Sequence, residues 1–98
     1  MATVFIPSLL QELTDGKERV EVHGETVRQI VNNLDEMHPG IKGRLVEGYK
    51  IKPNISVAID GEVSALGMLD KVGENSEVHF IPAIGGGAEV QVLGGGAW

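Results

Sequence analysis

The sequence predicts an α+β domain in which one main helix packs across a sheet of short strands. Three observations carry this. Arg19–His23, Asn54–Ile59 and Ser76–Ile81 alternate apolar with polar residues, the period-two signature of half-buried strands. Between the first and second of these runs, Val27, Ile30, Val31, Leu34 and Met37 recur at steps of three and four and form a single apolar stripe. The chain has 98 residues, enough for one domain with a single modest core, so helix and strands share it.

Thr3–Ile6 is a short apolar run closed by Pro7 and reads as the first strand. Leu9, Leu10 and Leu13 follow at helical spacing, one helical turn over Ser8–Leu13, and Thr14-Asp15-Gly16-Lys17 is a turn cluster. Arg19–His23, with Val20 and Val22 on one face, then pairs with Thr3–Ile6 as an antiparallel hairpin with a long loop. Thr26 and Gln29 have capping-box spacing: the Thr hydroxyl accepts a first-turn N–H, and the Gln side chain reaches back. That helix runs for about three turns and stops at Pro39-Gly40. Ile41, Leu45 and Val46 suggest a short helix, and Gly48, Tyr49 and Pro53 an irregular loop. Asn54–Ile59 turns back at Asp60-Gly61, the residue pair preferred where both central turn positions need positive φ. Leu66-Gly67-Met68 breaks the return strand, so it is short, and Asp70–Asn75 is a turn-rich loop.

The last strand holds the functional signal. In S-E-V-H-F-I-P-A-I-G-G-G (Ser76–Gly87), Val78 and Phe80 point to one face and His79 and Ile81 to the other. Pro82 lacks a backbone donor and suits the exit of a strand. Gly85, Gly86 and Gly87 carry no side chains and take backbone angles closed to other residues. A rigid strand feeding a bare glycine arm suits insertion into another protein's narrow active site. From Ile84 to Gly87 the arm reaches about 10 Å when extended.

This run is similar to the last strand and diglycine tail of ubiquitin. It is closer still to the ending of the bacterial sulfur carriers, the family of the molybdopterin synthase small subunit and the thiamine sulfur carrier, where Pro-Ala-aliphatic-small-Gly-Gly is typical. Gly24-x-Thr26-Val27, Asn54-Ile55-x-Val57 and Asp60-Gly61-Glu62 also sit where those carriers have similar residues. Within the family, Ile6-Pro7-Ser8-Leu9-Leu10 and Arg44-Leu45-Val46-Glu47-Gly48 most resemble the carriers that serve cysteine synthesis.

The resemblance, which covers Thr3–Gly87, implies a ubiquitin-like β-grasp fold: a mixed sheet of four to five strands, the last lying parallel beside the first. It implies that Gly87, preceded by Gly86, is adenylated and then thiocarboxylated to donate sulfur. Cysteine synthesis is the preferred destination, with molybdopterin or thiamine synthesis as alternatives. The implied partners are a ubiquitin-activating-like adenylyltransferase, which uses ATP, and a sulfur-accepting synthase. This chain itself would bind no cofactor. His79, Ile81, Pro82 and Ile84 would form the docking surface.

The chain departs from the family in carrying A-E-V-Q-V-L-G-G-G-A-W (Ala88–Trp98) beyond the diglycine. Adenylation needs a free carboxylate, and an internal Gly87 offers only an amide carbonyl. The expectation is a carrier domain over 1–87 and an extension over 88–98, cut between Gly87 and Ala88 by a tail-cleaving metalloprotease. The extension could instead be a strand that pairs with a sheet edge, or a disordered end. Gly94–Gly96 repeats the glycine run and is a competing terminus.

Composition closes off other classes. Eight basic against fourteen acidic residues give a formal net charge of −6, which argues against nucleic acid and favours a partner with a basic docking surface. No apolar run approaches the roughly 18 residues of a membrane span, and the N-terminus lacks the pattern of a signal peptide, so no membrane partner and a cytoplasmic location are expected. The absence of cysteine removes disulfides, thiolate metal sites and cysteine nucleophiles. His23, His38 and His79 lack the spacing of a metal site. Ser8, Ser56, Ser64 and Ser76 sit in no nucleophile elbow, and Asp60 and Glu62 read as solvated turn carboxylates. The chain is expected to be a protein substrate and sulfur donor, not an enzyme. The rival readings are a ubiquitin-like modifier joined to lysines through Gly87, and a plain interaction module with a glycine linker.

Overall fold

The computed structural model describes residues 1–83. β1 (Ala2–Phe5) and β2 (Arg19–Val22) pair antiparallel, with Val4 across from Val20 and Ala2 across from Val22. Their long connection is a 3-10 helix over Ser8–Thr14 that buries Leu10 and Thr14. The Thr14 hydroxyl donates to the Lys17 carbonyl at 2.9 Å and so holds the turn through Asp15 and Gly16.

The main helix, α1 (Val27–Met37), starts at Thr26, whose Oγ1 accepts from the Gln29 N–H at 3.2 Å. The returning Gln29 side chain reaches one residue further than a capping box would place it, accepting from the Glu25 N–H at 2.8 Å. Backbone on both sides of Thr26 is already tied elsewhere: Val27 N–H donates to Asp70, and Glu25 C=O accepts from Val72. Val27, Ile30, Val31 and Leu34 are buried as expected. Met37 is not. It is 51% exposed, because the helix ends there and the core beyond it is filled by Ile41 and Leu45 of α2 (Ile41–Leu45). Asp35 Oδ1 caps that second helix, accepting from the N–H groups of Gly40 and Lys42.

The expected irregular loop after α2 is a small hairpin, β3 (Val46–Glu47) and β4 (Lys50–Ile51). Gly48 sits at its turn with φ +66°, and glycine first in a two-residue loop is the pattern of a type II′ turn. β5 (Ile55–Ile59) then turns at Asp60 (φ 53°) and Gly61 (φ 86°) into the short β6 (Glu62–Val63). Both central residues have positive φ, as the Asp-Gly pair predicts. The break at Leu66–Met68 is a 3-10 turn over Gly67–Leu69.

β7 (Glu77–Pro82) closes the sheet in its centre. It runs parallel to β1, with Val4 beside Val78, and antiparallel to β5, with Val57 beside Phe80. The strand order is β2-β1-β7-β5-β6, a mixed sheet of five strands with the β3–β4 pair outside it. One face of that sheet (Val4, Val20, Val22, Val57, Val78, Phe80) joins the α1 stripe in a single buried cluster, with Ile55 and Ile59 partly buried against it. This is the helix-on-sheet core that the periodicities predict.

Candidate functional site

The fold places its last strand, which the glycine arm follows in sequence, in the middle of the sheet. Strand pairing continues to the end of the described chain: Pro82 lies beside Ile55, and the Ala83 N–H donates to the Asn54 carbonyl at 2.7 Å. β7 is held on both sides up to His79 and by β5 alone from Phe80 to Pro82, which roots its end in the sheet. Ile84, Gly86, Gly87 and Ala88, on which the expected chemistry and cleavage fall, lie outside the described residues.

At the other end of β7, Asp60 anchors the strand. Its Oδ1 accepts from the Glu77 N–H at 2.9 Å and its Oδ2 from the Ser76 hydroxyl at 2.8 Å. The Asp60 N–H returns a bond to the Glu77 carbonyl at 2.9 Å. These donors, the Glu77 backbone first and Ser76 second, hold the Asp60 carboxyl below its ordinary value of 3.8. The carboxylate expected to be merely solvated therefore locks the β5–β6 turn to the start of the arm-bearing strand.

The outer face of the sheet, opposite α1, carries a row of side chains at equivalent register. Phe5 pairs with Arg19 on one side and His79 on the other, His79 with Ala58, and Ala58 with Val63. The Phe5 and His79 rings stack, with centroids 4.1 Å apart and planes inclined by 4°. Ile81 stands two residues further along β7 and is 49% exposed; Val63 is 73% exposed. The sequence placed His79 and Ile81 on this face, and the structure brings Phe5 and Val63 beside them. Phe5 was available from the period-two step out from Val4; Val63 was hidden by the shortness of its strand. Pro82, expected with them, is half-buried and alternates to the opposite side of β7 from Ile81. His23 is exposed and His38 buried, on separate elements from His79. Among the described residues no three His, Asp or Glu side chains are grouped to hold a metal ion.

Comparison with known proteins decides the family. The profile of the ThiS family matches residues 4–87. The chain belongs to the ThiS family. Among curated relatives, the sulfur carrier protein CysO of Mycobacterium tuberculosis is 26% identical over 90 residues, covering 87% of this chain and 97% of that protein. Among solved structures, the Amycolatopsis orientalis BexX/CysO complex contains a chain that superposes with a TM-score of 0.84 at 34% identity, covering 89% of this chain and 100% of its own. SAMP1 from Haloferax volcanii, a small archaeal modifier protein, superposes with a TM-score of 0.68 at 27% identity, covering 88% and 98%. The likeness to ubiquitin-like sulfur carriers read from the sequence thus holds at the level of the ThiS family, and so does the β-grasp fold. No helix among the described residues of this ThiS-family chain is long and apolar enough to cross a membrane.

Proposed function

We propose that this chain is a sulfur carrier whose working end is Gly87, preceded by Gly86. The observation that carries the reading is the family match over residues 4–87, taken with a central, paired strand that leads in sequence to that end. In this reading the Gly87 carboxylate oxygen attacks the α-phosphorus of ATP on a partner adenylyltransferase, and pyrophosphate leaves. A sulfur nucleophile then displaces AMP from the acyl adenylate and leaves a thiocarboxylate. A synthase takes that sulfur onto its own substrate. The chain supplies a docking face and an unhindered arm, and its partners supply the catalysis.

The outer-face residues His79 and Ile81 on the strand that feeds the arm, with Phe5 beside them, are the surface proposed to meet the adenylyltransferase. Pro82 and Ile84 would lead from that surface into the enzyme. Likeness to CysO favours cysteine synthesis as the destination of the sulfur. Because only a carboxylate can be adenylated, residues 88–98 must be removed first, by cleavage between Gly87 and Ala88. The test is ATP–pyrophosphate exchange by the adenylyltransferase on chains ending at Gly87, Gly96 and Trp98. Activity confined to the Gly87 form is expected. Activity only in the Gly96 form would move the site, and equal activity of an uncleaved Trp98 form would defeat the reading.

Likeness to SAMP1 supports a second outcome of the same activation. An adenylated Gly87 could acylate a lysine amine on another protein, with loss of AMP and formation of an isopeptide bond. High-mass conjugates carrying this chain in its native cell would identify that use.

A further inference from the structure

The acidic chain carries one basic island, and it adjoins the root of the arm. Ile41–Lys52 holds four of the eight Lys and Arg residues (Lys42, Arg44, Lys50, Lys52) and one of the fourteen acids, Glu47. This segment is therefore locally +3, while the rest of the chain is −9. Two of the four, Arg44 at the end of α2 and Lys52 just past β4, line a notch of about 190 Å³. Its other walls include Pro7, Leu9, Leu10 and Pro82.

The notch lies on the opposite side of β7 from Ile81, since it is lined by Pro82 and that residue's strand partner Ile55. Leu9 is 75% exposed at the notch, a large apolar side chain held out beside two cations. The Lys52 N–H donates to the Leu45 carbonyl at 3.0 Å, which fixes the backbone between the two basic residues. β7 thus ends between two different surfaces, His79 and the apolar Ile81 on one side and a basic, apolar-walled notch on the other.

We propose that this notch receives a carboxylate side chain from the adenylyltransferase that takes up the arm, so that the enzyme grips the root from both sides. The inference rests on the sulfur-carrier reading and adds to it the chemistry of the second contact. Charge complementarity names the occupant: in a chain of net −6, this is the place where an acidic partner loop meets attraction on close approach. The same net charge disfavours a polynucleotide, which would have to approach the remaining acidic surface as well. The notch has the volume for one side chain, not for a folded segment. Arg44, exposed at the end of α2, would supply a planar donor fork suited to a carboxylate.

The test is calorimetric titration of the full chain into the adenylyltransferase at low and high salt. The variants are Arg44→Glu, Lys52→Glu, the double variant and Arg44→Lys. Lys71→Glu, on the loop before β7, is the control for each single variant, with the same change in charge. The double variant is expected to bind about tenfold or more weakly at low salt and to lose most of the salt dependence. Lys71→Glu should stay within about twofold, and Arg44→Lys should keep part of the affinity. Arg44→Glu and Lys52→Glu variants that both bind as Lys71→Glu does would overturn the inference and leave the carrier reading standing. A parent chain that the enzyme neither binds nor, once ended at Gly87, adenylates would overturn both. Tighter binding by the double variant would also overturn the proposal. Should the double variant unfold, Arg44→Gln alone decides, with about threefold weaker binding expected.

Discussion

Ile30 sits where α1 meets the sheet and has no exposed surface. Replacing it with alanine removes about three methylene equivalents, at ~0.8 kcal/mol each on transfer from the core to water. That gives roughly 2.5 kcal/mol before any cavity is counted. The surroundings are poorly placed to collapse, because Ile30 is packed against the backbone at Gly24 and its neighbours Val27, Val31 and Leu34 are themselves fully buried. A residual cavity adds further cost, so the expected loss is about 3–4 kcal/mol. For a domain of this size that corresponds to a fall in Tm of about 12–30 °C. Urea denaturation followed by far-ultraviolet circular dichroism measures it, with an unchanged m-value indicating that the transition remains two-state. Met37→Ala, on the same helix but half-exposed, should cost less than about 1 kcal/mol. If Ile30→Ala were as stable as Met37→Ala, the helix-on-sheet core would be wrong.

Three further outcomes follow from particular contacts. A Cβ at Gly24 would lie 2.9 Å from both the backbone N and Cδ1 of Ile30, so Gly24→Ala should destabilise by about 1–3 kcal/mol, read in the same denaturation experiment; no change would mean the helix start is not packed on Gly24. The depressed pKa of Asp60 stabilises the fold above the ordinary value of 3.8, and this contribution is lost as pH falls through the lower folded-state value. The stability gap between the parent and Asp60→Asn should therefore narrow on acidification below that value, and a gap that stayed constant or widened would contradict the turn-to-strand lock. Ile81→Asp should leave the fold intact and weaken binding to the adenylyltransferase by about 1–3 kcal/mol in calorimetry; equal affinity would remove Ile81 from the docking face.

Legibility in the sequence tracked how much local pattern each feature leaves. β7 could be read residue by residue, because a strand with one face on a helix must alternate, and Val78 and Phe80 against His79 and Ile81 do so. The Asp60-Gly61 turn was equally plain, since positive φ at two adjacent positions restricts residue choice. β3 and β4 left no trace, for two-residue strands show no period. Met37 fits the helical spacing but lies at the last turn, where burial depends on what α2 contributes. The bonds from Asp60 to Ser76 and Glu77 join residues separated by sixteen and seventeen positions, and no periodicity announces such a contact. The notch is hidden for the same reason: Arg44 and Lys52 meet Leu9 and Pro82 only once the chain is folded.

The central claim is that Gly87 becomes a terminal thiocarboxylate. Intact-mass spectrometry of the protein isolated from its native cell tests it most directly. The expected result is a species ending at Gly87, partly shifted by the mass of one sulfur-for-oxygen exchange, with the shift abolished when the partner adenylyltransferase is deleted. A chain that always retains Trp98 and never carries the added sulfur would contradict it.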